Sequence, residues 1–242
     1  MDILPSLSAI LLYAVPVIVA ITFHEAAHGY VAWKLGDDTA YQLGRVTFNP
    51  LKHIDAFGTV LLPAILIFSG SRFLFGWAKP VPVDFNRLHR PRRDMVIVAA
   101  AGPGINLVLA FVSAVLLHVA GLFPDAVAQA LVRVLGVSIF FNVLLAVFNM
   151  LPLPPLDGGR VAVGLLPDRL ARPLARLERF GFVILILVVF VVPIVASRMG
   201  YDFNIFSWLI LPVTFFVTDV LSVLTGANVS DAIIAVFRSL SG

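Results

Sequence analysis

The chain has 242 residues, 60% of them hydrophobic and 13% charged, with a formal net charge of +3. No globular core needs that much apolar sequence, so an ordinary soluble domain is excluded and an integral membrane protein is indicated. The absence of cysteine excludes disulfides and thiolate metal ligands, which leaves His, Asp and Glu to hold any metal.

No polar stretch is long enough for a separate soluble domain and no internal repeat is present, so 1–242 reads as one integral membrane domain. The first apolar run lacks a basic n-region and a small-residue cleavage site, and it continues into Phe23 to Ala32, FHEAAHGYVA. It therefore reads as a retained helix from about Ala9 to Leu35 rather than a signal peptide. His24 and His28 stand one turn apart on one helical face, so both rings can reach a single ion while Glu25 lies beside them. With five histidines and only two glutamates in the chain, Glu25 and Glu178, that pattern arises by chance in roughly one chain in a thousand. An ionisable cluster in a membrane-grade helix is costly enough that function is its default reading. At 1.5 Å per residue His24 lies roughly 22 Å along a path of about 30 Å, inside one leaflet rather than at mid-plane.

Gly36 to Ala56 breaks the helical pattern. Gln42 to Pro50, QLGRVTFNP, is partly alternating and bounded by Gly and Asn-Pro, which predicts a strand. Thr59 to Phe75 is apolar but interrupted by Pro63 and Ser69-Gly70-Ser71-Arg72, so it is expected to enter the membrane without crossing. Trp77 to Val83, WAKPVPV, carries two prolines and is expected to be extended at a sheet edge. A basic cluster follows, Arg87, Arg90, Arg92 and Arg93, the kind of flank that stops at a membrane face. Val96 to Phe123, Val127 to Leu151, Phe180 to Ser197 and Ile205 to Leu224 are the remaining apolar helices. The expected fold is an all-α polytopic membrane protein with five full transmembrane helices, a short re-entrant or partial membrane segment, and small β-sheet edge strands between the first and second core helices. The core runs from about 9 to 160, with accessory helices over about 178 to 226.

A third metal ligand is expected where the second of those later helices ends. FNMLPLPPLDGGR places Pro152, Pro154 and Pro155 where a helix must unwind, then presents Asp157 before two glycines that permit a tight turn. Non-helical backbone at membrane depth is tolerated only where protein or a wet cavity covers it. For Asp157 to meet the His pair, both helices must cross in the same direction. On that path the loops Lys34 to Asp94 and Pro152 to Arg179 and the C-terminus share one face, and of the 17 Lys and Arg only Arg133 and Arg198 fall on the other. The positive-inside rule selects the same topology, with the N-terminus outside the cell membrane and the site near the cytosol.

HEAAH in the first helix, GPGIN at Gly102 to Asn106 and NMLPLPPLDGG at Asn149 to Gly159 together resemble the site-2 protease family of intramembrane zinc metalloproteases, in particular the small members without a PDZ or CBS domain. The resemblance runs from about Ile10 to Arg160. It implies that His24, His28 and Asp157 bind one zinc ion, that Glu25 is the catalytic base and that Asn149 acts in substrate or transition-state binding. Ala56 stands in HIDAFG where many relatives have proline.

The ligands imply the chemistry independently. Three protein ligands leave a fourth position for a water whose pKa zinc lowers, and Glu25 is placed to take its proton during attack on a peptide carbonyl. The expected edge strands, Arg45 to Phe48 with Arg45, Val46 and Thr47, or Ala78 to Val83, are candidates to hold an unwound substrate segment by strand addition, with Asn106 as a further substrate-binding candidate. The expected partner is a transmembrane protein already trimmed by another protease, within the lipid bilayer. Nucleic acid is excluded, since no reading motif surrounds the basic residues. His53 and His89 read as loop residues and His118 as interfacial. The competing functions are a membrane zinc transporter, for which no repeat is present, and a zinc-binding protein without catalysis, which the presence of Glu25 disfavours.

Overall fold

The structure, a computed structural model, describes residues 7–68 and 76–241, and every regular element among them is helical. Helix α1 spans Leu7–Lys34 and α2 is the single turn Thr39–Gln42; a π-helical turn, Ala56–Leu61, runs into α3, Leu62–Phe68. Then come α4 (Pro91–Ala120), α5 (Asp125–Asn149), α6 (Asp157–Leu165) and α7 (Asp168–Leu177). Helices α8 (Gly181–Ile186) and α9 (Val192–Arg198) are joined through a π-helical turn, and α10 (Leu211–Thr225) and α11 (Val229–Ser241) close the order. Among the described residues, five helical stretches are long and apolar enough to cross a membrane: Leu12–Lys34, Pro91–Ala120, Asp125–Asn149, Asp168–Arg198 and Phe206–Thr225.

Helix α4 shows how the sequence sets these bounds. Pro91 occupies the first turn, where a missing N–H costs nothing, and the Asp94 carboxylate reaches back to accept the Arg90 N–H at 2.8 Å. The helix then runs apolar for its length and stops before Gly121. Small residues fix what packs against it. Ala110 and Ala114, fully buried, let α5 come close enough for Ile139, Phe140 and Val143 to fill the seam. Ala20 and Ala32 do the same on α1.

Contacts between these helices give their directions. His28 meets Val98 and Ala20 meets Asn106, so α1 runs antiparallel to α4; Asn106 meets Asn142 and Ser113 meets Ser138, so α5 does too. Helices α1 and α5 therefore run the same way and end at the same side of the bundle.

The expected β-sheet is overturned: no strand exists among the described residues. In Arg45 to Phe48 the polar groups are satisfied locally instead. The Arg45 N–H returns to Ala40 O after Gly44 turns at φ +62°, the His53 ring bonds Thr47 O, and the Asn49 side chain takes the Leu51 N–H. Alternation predicted a ladder there, but turn chemistry won. Trp77 to Val83 forms no regular element, and its backbone bonds are isolated ones, among them Trp77 N–H to Gly58 O and Lys79 N–H to His53 O. Pro80 and Pro82 remove the donors a ladder would need. The described part of Thr59 to Phe75 is helical to Phe68, about 20 Å counted from Ala56 and too short to cross. Residues 69–75, with the expected Ser-Gly-Ser-Arg interruption, lie outside the described residues.

The C-terminal third also departs from expectation. Phe148 stacks on Phe206 at 5.8 Å, and the His118 ring bonds Thr225 O at 2.9 Å, so α10 runs from the end of α5 to the far end of α4. Its end thus lies away from the His pair rather than on the same face. Hydropathy counts spans without giving their direction, and α11, at 13 residues, is too short to register as one. That helix folds back along α5, its Ala232 backbone against Gly136. A Cβ at Gly136 would lie 2.6 Å from Ala232 O, so Gly136→Ala is expected to destabilise the protein by about 1–3 kcal/mol. A lowered Tm in detergent with unchanged metal content is the check.

Candidate metal centre

Helix α1 turns His24 and His28 toward α4, and their other ring nitrogens fix which way each proton lies. His28 Nδ1 sits 2.7 Å from Val98 O, a pure acceptor, so Nδ1 carries the proton. His24 Nδ1 sits 2.6 Å from Asn106 Oδ1. The Asn106 amide is held in that sense because its nitrogen faces two acceptors, Ala20 O at 3.1 Å and Asn142 Oδ1 at 2.8 Å. Both imidazoles therefore present bare lone pairs at Nε2.

Those lone pairs point at each other and at a carboxylate. The two Nε2 atoms are 3.0 Å apart, and Asp157 Oδ2 lies 3.2 Å from His24 Nε2 and 3.3 Å from His28 Nε2. All three side chains are buried. Three acceptors converge with no proton to share, a repulsive arrangement that a divalent cation satisfies. Tetrahedral zinc, with bonds of about 2.0–2.2 Å, sets its ligand atoms about 3.3 Å apart, close to the spacing observed. The residues fit the metal.

Glycines make this convergence possible. A Cβ on Gly102 would lie 2.3 Å from His28 Nε2 and 2.7 Å from His24 Cε1, so the GPGIN glycine is the wall against which both rings rest. The Asp157-Gly158-Gly159 run does not form the tight turn expected of it. Asp157 opens α6, and the two glycines let that helix press on the preceding loop, where a Cβ would lie 2.3 Å from Met150 O or 2.5 Å from Pro154 N. Arg92 braces the other end of α6 through Gly164 O and Leu166 O, and pairs with Asp168.

Glu25, half-buried, accepts the Val81 N–H through Oε2 at 2.8 Å. Val81 stands between Pro80 and Pro82, so within that triplet it holds the one N–H. The bond holds the carboxylate in one orientation and leaves Oε1 unencumbered. Val81→Pro keeps an extended backbone while removing the donor. Turnover is expected to fall about tenfold with metal content unchanged, measured as initial rate per bound metal.

The remaining sequence candidates sit as follows. Asn149 ends α5, with Nδ2 bonded to Leu145 O at 3.0 Å. Arg45 is buried, its guanidinium on Lys79 O at 2.7 Å, so it braces the segment that carries Val81. Val46 packs toward Gly29 and Thr47 O receives the His53 ring. Asn106 is fully buried against His24. Glu178, the chain's other glutamate, pairs with Arg160 at 3.0 Å, away from the cluster. Sequence reasoning missed the contact of Val81 with Glu25, and it missed Asn142. Nothing local pairs Val81 with Glu25, whereas an asparagine in an apolar helix is itself a signal.

Known proteins resemble this chain over most of its length. The model of peptidase family M50 matches residues 118–193, a stretch that holds Asn149 and Asp157. A Bacillus subtilis protein named "Putative zinc metalloprotease YwhC" is 42% identical over 184 residues, covering 74% of this chain and 80% of that protein. "Putative zinc metalloprotease Rip2" of Mycolicibacterium smegmatis is 33% identical over 176 residues, 71% of this chain and 63% of that protein. The Rip2 protein of Mycobacterium tuberculosis is 30% identical over 192 residues, 79% of this chain and 70% of that protein. No solved structure matches. With identity at this level across four-fifths of the Bacillus protein, and motifs that resemble the site-2 proteases, the chain belongs to peptidase family M50.

Proposed function

We propose that this chain is an intramembrane zinc metalloendopeptidase that cuts peptide bonds within or beside transmembrane segments, as a step of regulated intramembrane proteolysis. The observation that carries the reading is the convergence of His24 Nε2, His28 Nε2 and Asp157 Oδ2. In this reading those atoms hold one zinc ion. Zinc bound there supplies a Lewis acid for a water molecule and for the scissile carbonyl.

Everything else falls to the chain. Glu25, anchored by Val81, takes the proton of the attacking water on Oε1 and passes it to the leaving amine. Asn149 has one amide N–H on Leu145 O and offers the other to the carbonyl oxygen as charge develops. Arg45, Val46 and Thr47 serve the substrate through the loop they brace, not by pairing with it as a strand. Val98 and Gly102 lie about 6–12 Å along α4 from Asp94, the last charged residue at its start, which buries the reaction below one membrane face. At that same end Arg92 meets Gly164 O and Asp168, and Arg160 lies over the Phe85 ring. We assign that end to the cytosolic side of the cell membrane, with the N-terminus outside. One domain serves throughout, its core about 9–160 with accessory helices from about 178 to 226, and its substrate is a membrane protein already trimmed elsewhere.

The test is co-reconstitution with a pre-trimmed single-span protein, comparing wild type with Glu25→Gln. A shortened fragment from wild type alone, with zinc in both, supports the protease. Zinc flux into the vesicles without any fragment overturns it in favour of a transporter.

A further inference from the structure

A line of polar side chains crosses the seam between α4 and α5, and no step above uses it. Asn106 gives one N–H to Ala20 O and the other to Asn142 Oδ1 at 2.8 Å, which leaves its own oxygen for His24 Nδ1 at 2.6 Å. Asn142 is almost wholly buried and donates to Ser138 O at 2.8 Å. Ser138 Oγ in turn meets Ser113 Oγ at 2.8 Å. Ser138 O can only accept, so Asn142 faces it with nitrogen and faces Asn106 with oxygen. Polar groups in apolar spans are costly unless every donor and acceptor is matched, and this line is matched from Ser113 to His24.

Resting on the zinc reading, we propose that Asn142 is a positioning residue for the metal centre: it fixes the amide of Asn106 and, through it, the tautomer of His24. With Asn142 Oδ1 in place, both N–H groups of Asn106 have acceptors and its oxygen faces the imidazole. His24 then carries its proton on Nδ1 and a lone pair on Nε2, aimed at the cluster. Were the Asn106 amide turned or displaced, its nitrogen would meet Nδ1, the proton would move to Nε2, and that atom could not ligate. Ala20 O alone holds one N–H of the amide; Asn142 holds the second and so removes the freedom to swing. Outer partners of this kind tune a site without touching it.

The experiment uses the full-length protein in detergent, loaded with cobalt for its visible absorption spectrum and titrated with zinc against a chromophoric chelator. Asn142→Leu is expected to weaken zinc about tenfold and to alter the cobalt spectrum. Asn142→Ser, which keeps the helix polar but bonds back to its own turn and cannot reach Asn106, is expected to do the same and covers the case in which the leucine variant misfolds. Asn142→Asp is the rescue. Buried as a neutral acid, it donates to Ser138 O and accepts from Asn106, so its affinity and spectrum are expected to stay near wild type. Wild-type affinity and spectrum in the leucine and serine variants overturn the inference, as does an aspartate variant as impaired as the leucine one. Failure of the wild type itself to bind cobalt or zinc overturns the zinc reading and this inference together.

Discussion

Glu25→Gln is expected to lower peptide-bond hydrolysis by about 10³-fold, some 4 kcal/mol of transition-state stabilisation, while the protein keeps one zinc per chain. Glutamine is nearly isosteric with glutamate, and its amide oxygen can still accept the Val81 N–H. The surroundings of the site therefore persist, and only the capacity to take and return a proton is lost. Glu178 cannot substitute, because it is committed to Arg160 outside the cluster. The measurement is cleavage of a model transmembrane substrate at saturating concentration, beside zinc content by mass spectrometry. Loss of zinc in the variant would mean that Glu25 is a ligand and not a base. Undiminished turnover would move the base elsewhere.

The same residue shows where sequence reading succeeds and where it stops. The spacing of His24, Glu25 and His28 is a property of one helix, so geometry follows from numbering alone. Asp157 could be joined to them because a proline-broken helix end at membrane depth requires a covered cavity, and because two helices sharing a site must end on one side. The partner of Glu25 is different in kind. Val81 lies far along the chain in a segment whose prolines announce only that it is extended, and its contact with α1 is a matter of tertiary packing. Arg45 is similar: alternation around it suggested a strand, whereas burial and the Lys79 carbonyl make it a brace. The mistaken β-sheet had a physical source. Alternating polarity suits a half-buried strand but is not sufficient for one, and here side chains and turns took hydrogen bonds that a neighbouring strand would have taken.

Apolar helices pose the reverse difficulty. Their existence and lengths are plain from hydropathy, but their neighbours and directions are not, since lipid-facing and protein-facing residues are equally apolar. The signals that do survive are polar and small residues. Asn106, Asn142, Ser113 and Ser138 mark one seam, and Ala110 and Ala114 continue it. Together those positions imply both the α4–α5 pairing and the support of His24. On α10 the buried Thr214 and Thr218 bond back to their own helix, so they mark its packed face without giving its direction.

Gly102→Ala is expected to weaken zinc binding by about 100-fold and to abolish turnover at ordinary metal concentrations. The added methyl would come within 2.3 Å of one imidazole and 2.7 Å of the other, well inside contact distance, so both rings must move together. Neither can move cheaply. His28 is tied to Val98 O and His24 to Asn106, and a few tenths of an ångström on each breaks the near-tetrahedral spacing of the three donors. Gly104→Ala is the control within the same motif, because a Cβ there meets nothing within 4 Å and alanine favours a helix. That variant should bind zinc as wild type does and melt no lower. Zinc titration of the two alanine variants, with Tm measured after metal removal, separates loss of the site from loss of the fold. A Gly102 variant with wild-type affinity would place the metal somewhere other than between these two histidines.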